Sequence, residues 1–313
     1  MSSKEAKKLS DFWSVLGGQY TRNFEAKFAE KHNVKYAVSS NSATSSLISA
    51  AIACGIENGD EVITTPFSFT ASATAMRIAG AKILFADIDK NTFCITAKTI
   101  KKRITSKTKA ILVVHLLGNS GDIVNIKKLC DDTGIKLIED SAQALHSKIQ
   151  EKYLGSFGSV GVFSFQETKT IMTGEGGMAV TNDKNIAYKL RLIRNHGESM
   201  VYEGIDSDNT INSAVGYNFR LPEPLSALGY AQIQKVEMLN DIRKENYRYL
   251  KKELERFDCL SLVKATNDAN EFAPYCLGML FKHKKIHRNT FALALRAEGI
   301  PVSTGFPRLS NEN

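Results

Sequence analysis

An α/β fold with a mostly parallel central sheet is what this sequence predicts, and three observations predict it. From about Val34 onward, short β-branched apolar runs alternate with stretches of helical periodicity. The runs are continuously apolar, as strands covered on both faces are. Small and polar residues follow directly on several of them, where ligand-binding loops of such sheets begin.

The strand-like runs, in order, are VKYAVSS, DEVITTP, KILFADI, KAILVVHLLG and IKLIEDS. Helical patterns separate them near Ala43–Cys54, Thr70–Ala79, Ala97–Arg103 and Asn125–Asp132. Around Gly158 the pattern changes: SVGVFSF and GGMAVTN read as strands flanking the compact stretch QETKTIMTGE. A helix follows from about Asn185 to Asn195, and a long helical pattern runs from Glu223 to about Phe257 without a proline after Pro224. The remainder offers one strand (YCLGMLFK), one helix (HRNTFALALRAEG) and the beginning of another strand (IPVSTGF). One helix with one paired strand makes a poor self-contained domain. The expected division is a large domain over residues 1–235 and a long helix plus a small, truncated C-terminal α/β domain over 236–313.

The 313 residues are 43% hydrophobic and 24% charged, which fits a soluble globular chain and excludes disorder, a collagen-like fibre and a disulfide mini-protein. No apolar h-region opens the chain and no run approaches the length of a membrane span. The five cysteines (Cys54, Cys94, Cys130, Cys259, Cys276) are odd in number, scattered and free of CxxC, so they read as small core residues in a reducing cytoplasm. A formal charge of +8 suits an anionic partner. No zinc knuckle, RNP-like strand or dense Lys/Arg tract points to nucleic acid.

Four features carry chemistry, each with an ordinary alternative. Lys169, in FSFQETKTIMTGEGG, stands where a sheet loop meets glycines, as a Schiff-base lysine does; a solvated lysine is the alternative. Asp140 ends IKLIED, where a carboxylate can face the ring nitrogen of a pyridine cofactor; it can equally cap a following helix. NSATSS opens a helix with hydroxyl residues, a ready anion site that is also an ordinary cap by Ser42 or Thr44. Phe69, just beyond EVITTP, can stack on a flat ring or fill the core. Together they describe an amine for an aldehyde, a carboxylate for a ring nitrogen, a helix end for a phosphate and a ring to stack. That set matches pyridoxal 5'-phosphate.

These segments, with GAKILFADID, GSFGSVGVFSFQETKTIMTGEGGMAVTND, IRNHG and GYNFRLPEPLSALGYAQI, make the chain resemble the DegT/DnrJ/EryC1/StrS aminotransferases from about Gly18 to its last residue. The resemblance implies fold type I of the pyridoxal-phosphate transferases, the aspartate aminotransferase-like fold, and amination of a nucleotide-linked keto sugar with glutamate as donor. It makes Lys169 the cofactor lysine and proton shuttle and pairs Asp140 with the pyridinium nitrogen. Gln143 is to bond the phenolic oxygen, and Phe69 to stack. Ser164 with the Ala43–Thr44 turn is to hold the phosphate. It implies a homodimer in which Asn218, with Arg220 close by, reaches the neighbouring site. Ala43 stands where many relatives have glycine, and relatives usually continue past IPVSTGFPRLSNEN with a proline-rich substrate loop. Members that act as sugar dehydratases replace the lysine with histidine, so Lys169 favours transamination; a sugar dehydratase or lyase, or an inactive truncated homologue, is the alternative. Lys189, Arg191 and Arg194 are candidates for a basic rim or simply a solvated helix face, and His196 for a donor or substrate contact or a structural hydrogen bond.

Overall fold

A computed structural model of the chain describes residues 17–197, 215–266, 272–305 and 309. Its elements in chain order begin with α1 (Gln19–Lys31), β1 (Tyr36–Ser40), α2 (Ala43–Ala53), β2 (Glu61–Thr64), α3 (Ala71–Ile78) and β3 (Lys82–Phe85). There follow α4 (Ala97–Lys101), β4 (Thr108–Val114), α5 (Ile123–Thr133), β5 (Lys136–Asp140), β6 (Lys148–Ile149), β7 (Lys152–Tyr153), β8 (Val160–Ser164) and β9 (Gly177–Thr181). The last are α6 (Lys184–Arg194), α7 (Glu223–Ile233), α8 (Val236–Leu254), β10 (Leu260–Leu262), β11 (Met279–Phe281) and α9 (Arg288–Ala297).

Seven strands form one sheet in the order β1-β9-β8-β5-β4-β2-β3. The pairs β2–β3, β2–β4, β4–β5 and β5–β8 are parallel, while β9 runs antiparallel to both β8 and β1. β9 alone is reversed, so the carboxyl ends of the other six strands and the amino end of β9 share one edge. The period of two divides each strand between two faces. Val62, Leu112, Ile138 and Val160 pack with Leu47, Met76, Ile186 and Leu190 of α2, α3 and α6. Ile63, Ile111, Val113 and Leu137 face the other way, onto Ile100, Ile126 and Leu129 of α4 and α5. Beside them Phe24 and Phe28, one helical turn apart on α1, meet Phe163, Met178 and Val180, with Phe28 and Phe163 ring centroids 5.1 Å apart. Each fully buried side chain of this size contributes about 1.5–3 kcal/mol against exposure.

α1 was not marked by strand-and-helix alternation, and its amino end is closed from far along the chain. Glu223, opening α7, accepts from the backbone N–H groups of Tyr20 and Thr21 at 2.9 and 3.0 Å. A Cβ at Gly18 would lie 2.4 Å from the Glu223 carboxyl carbon, so glycine lets this distant cap in.

Three expectations need correction. The single helix expected from Glu223 to Phe257 is two, α7 and α8, joined at Gln234–Lys235. Ile233 and Val236 on either side of the joint are both 0% exposed in the α1 core, which anchors the turn without proline or glycine. IPVSTGF forms no strand over residues 301–305, so among the described residues the C-terminal sheet is the β10–β11 pair. Of the cysteines, Cys54, Cys94 and Cys130 are core residues, but Cys259 is half-buried and Cys276 exposed. Among the described residues no helix is long and apolar enough to cross a membrane.

Candidate active site

The carboxyl edge of the sheet gathers Ala43, Thr44, Asp140, Gln143, Ser164 and Lys169. α2 starts there, after β1. Ser42 is its cap, extended at φ −163° and accepting from Ser45 N–H at 3.1 Å, so capping falls to Ser42 and not to Thr44. The first-turn N–H groups of Ala43 and Thr44 have no carbonyl a turn earlier to bond. Gly177 pairs with Ser40 on one side and Ser164 on the other. A Cβ on it would stand 2.4 Å from Ser42 O and 2.6 Å from Ala43 N. The missing side chain therefore lets β9 close on the mouth of α2 and brings Ser164 alongside Ala43.

Asp140 ends β5 beside Val162 of β8 and is only 6% exposed. No helix follows it, so it caps none; its Oδ1 accepts from Ala142 N–H at 3.1 Å in a local turn. Ser72 Oγ donates to Oδ2 at 2.7 Å, and Ser68 Oγ lies 2.9 Å from Ser72 Oγ. This chain fixes the carboxylate and ties it to the loop of Phe69. A carboxylate has four lone-pair sites; two bonds leave Asp140 able to accept more. Phe69 is 63% exposed, which removes it from the core and leaves its ring free to stack.

Gln143 sits three residues beyond Asp140. Its Oε1 accepts from Leu117 N–H at 2.8 Å, which leaves the amide Nε2 as the donating end. Leu117 occupies the left-handed region at φ 61°. Lys169 lies half-buried in the loop from β8 to β9, with Nζ 4.6 Å from the Tyr275 ring centroid. Tyr275 Oη is 3.0 Å from Thr168 Oγ1, and Tyr275 N–H donates to Leu117 O at 3.1 Å. Gln143 and Lys169 thus share one scaffold.

Asn218 is exposed, and its carbonyl accepts from Asn41 Nδ2 of the same chain at 3.3 Å, one residue before the α2 cap. Arg220 bonds Asn195 Oδ1 at 2.8 Å. His196 is exposed at φ 61°, with its backbone N–H on Tyr217 O. The basic-rim reading fails for two residues of α6. Arg194 is 3% exposed and pairs with Glu25, also bonding Ser39 O at 3.1 Å, so it is neither rim nor solvated face. Lys189 lines a groove with Lys136, at the start of β5, and Cys54, at the far end of α2; that is the opposite edge of the sheet. Arg191 is half-buried.

Sequence reasoning missed several supports. Glu139 is 0% exposed; it meets His115 Nε2 at 2.8 Å and accepts from Gly155 and Gly158 N–H at 2.8 and 2.6 Å. The signal was the doublet Glu139-Asp140 on a strand, since alternation sends one carboxylate to each face. Ser68 and Ser72 carried a weaker signal, four residues apart across a helix start. Tyr275 carried none, because its partner is over a hundred residues away.

The model of the DegT/DnrJ/EryC1/StrS aminotransferase family matches residues 3–313. The chain belongs to this family. Among curated relatives, GDP-perosamine synthase of Escherichia coli O157:H7 is 38% identical over 73% of this chain and 61% of its own length. GDP-perosamine synthase of Vibrio cholerae is 34% identical over 81% of this chain and 69% of its own. The fold is that of an aminotransferase from Psychrobacter cryohalolentis, with a TM-score of 0.87 at 30% identity, covering 100% of this chain and 85% of that one. The chain thus spans under two thirds of the length of the first relative.

Proposed function

We propose that this family member is a pyridoxal-phosphate-dependent aminotransferase that converts a nucleotide-linked keto sugar to an amino sugar, with glutamate as the amino donor. One observation carries the reading. A half-buried lysine, a buried carboxylate, an oriented amide and an open helix start all stand at one edge of the sheet, in a chain related to synthases of a nucleotide-linked sugar.

The residues present suit the cofactor. Gly177 lets β9 pack against the start of α2, which sets Ser164 beside the first-turn N–H groups of Ala43 and Thr44, a suitable place for a phosphate. Asp140 is itself buried and keeps acceptor capacity, and Gln143 presents a donor. When bound, pyridoxal phosphate supplies an aldehyde carbon that carries the amino group and a ring that accepts the electron pair left when a proton is removed. Asp140 then holds a proton at the ring nitrogen. Phe69 covers a ring face, Gln143 donates to the phenolic oxygen, and Ala43, Thr44 and Ser164 bind the phosphate. The Lys169 amine would serve as the base that takes the α-proton of the donor, and as the acid that delivers a proton when the keto sugar is aminated. Retention of lysine favours transamination over dehydration.

Residues 1–235 would then form the cofactor domain, and residues from 236 onward the smaller one. Asn218 would reach the phosphate of a partner subunit in a homodimer, a reading its exposure supports. Mixing two inactive variants, Lys169→Ala and Asn218→Ala, then restores part of the activity; a mixture as inactive as its parts removes the shared site.

The deciding assay incubates the protein, pyridoxal phosphate and glutamate with a panel of nucleotide-linked keto sugars. An amino sugar is expected. A deoxy-keto product would make the chain a dehydratase, and no product together with no cofactor absorbance would leave it inactive.

A further inference from the structure

We infer that Tyr275 is a positioning residue that parks the amine of Lys169 and couples it to the Gln143 turn, an inference that rests on Lys169 being the cofactor lysine.

Tyr275 contacts the candidate site in three ways. Its ring lies under Lys169 Nζ, 4.6 Å from the centroid, so the electron-rich face holds an ammonium. Its hydroxyl lies 3.0 Å from Thr168 Oγ1, beside the lysine on the same loop. Its backbone N–H donates at 3.1 Å to Leu117 O, and Leu117 N–H in turn orients Gln143 Oε1 at 2.8 Å. Tyr275 is itself pinned, since Arg243 Nη1 of α8 donates to its carbonyl at 2.9 Å. The loop from β8 to β9 is shaped by the isolated bridge Gln166–Gly174, by Thr168 donating to Gln166 Oε1 at 3.0 Å from its N–H and 2.6 Å from its Oγ1, and by the buried side chains of Phe165 and Ile171. Among the described residues the Lys169 amine has no hydrogen bond or ion pair beside this contact, and the neighbouring Cys276 lies near enough to feel its charge.

This arrangement has a chemical use. A lysine that shuttles a proton must leave the cofactor carbon and return to it in each half-reaction. An aromatic face close to the site gives the freed amine a defined resting place, which limits the geometries it must search. The hydroxyl fixes the loop from which it swings, and the Leu117 bridge holds the ring in register with Gln143.

The test uses the full chain without cofactor, so it does not depend on turnover. Reductive methylation at neutral pH, followed by peptide mass spectrometry, reads the labelling rate of Lys169 against exposed lysines such as Lys128. Tyr275→Leu is expected to raise the relative rate roughly two- to fivefold, the size of a partly exposed cation–π contact. Tyr275→Phe keeps the ring and is expected to restore the wild-type rate. It is also expected to speed hydrogen exchange of the backbone amides of residues 166–174, as is Thr168→Val. Lys169 labelling in Tyr275→Leu equal to wild type overturns the inference, and so does unchanged exchange in both hydroxyl-contact variants. If Tyr275→Leu does not fold, Tyr275→Phe and Thr168→Val still decide. Should Lys169 prove not to carry the cofactor, that emerges from cofactor attachment and leaves these labelling rates untouched.

Discussion

Asp140 and Lys169 belong to one candidate site but are held by different kinds of structure. Asp140 ends a central strand, 6% exposed, with Ser72 on one oxygen and Ala142 N–H on the other. Lys169 rides a loop, half-buried, and its contact comes from Tyr275 on the far side of the chain. The difference follows from the work proposed for each. A carboxylate that stabilises charge gains from a fixed position in a low-dielectric edge. An amine that moves a proton needs reach, and a loop supplies it at the cost of rigidity.

The sharpest way to break this contrast is Asp140→Asn, which preserves shape and removes charge. Turnover is expected to fall by at least about 10²-fold, with weaker cofactor binding measured by fluorescence titration. Unchanged activity removes Asp140 from the mechanism and with it the rigid half of the comparison.

A second variant separates buried charge that builds the fold from buried charge that serves the site. Arg194→Ala strands Glu25 in the core beside Ser39. A loss of roughly 3–5 kcal/mol is expected in denaturant unfolding. A loss below about 1 kcal/mol would return Arg194 to the surface role expected from sequence.

A third test concerns pH. His32 stacks on Phe28 at 4.0 Å and meets His146 edge-on at 4.7 Å. Burial first, then the His146 charge, holds the His32 imidazole well below its ordinary value. For His146, burial first and then Lys31, Lys148 and Lys244 push it from 6.5 down to about 3. Both pKa values are depressed on folding, so the unfolded chain binds more protons once the pH drops under about 6.5. Stability is therefore complete above that pH and falls toward pH 3, by at most about 1.4 kcal/mol per pH unit for each proton. In a melting-temperature profile His32→Phe is expected to flatten this acid limb. An equally steep limb would place the acid sensitivity elsewhere.

The same contrast explains what the sequence made legible. Strands buried on both faces leave continuous apolar runs, and the polar residues that end them mark the edge, so Asp140 and the start of α2 could be read directly, while Ser164 came only through the family resemblance. Capping chemistry is local, so the sequence narrowed the α2 cap to Ser42 or Thr44. Arg194 could not be read, because only a fold that brings Glu25 within reach can bury a guanidinium. The break between α7 and α8 escaped because it is set by the α1 core and not by proline or glycine. His32, His146 and Tyr275 escaped for a related reason: each is defined by partners distant in the chain. The exposure of Phe69, by contrast, turned an ambiguous residue toward the site.

The central claim is that this sheet edge holds pyridoxal phosphate through Lys169. Borohydride reduction of the cofactor-loaded protein, followed by peptide mass spectrometry, tests it most directly. The account predicts one pyridoxyl adduct per chain, on Lys169, and none in Lys169→Ala. An adduct on another lysine, or no adduct at saturating cofactor, would contradict it.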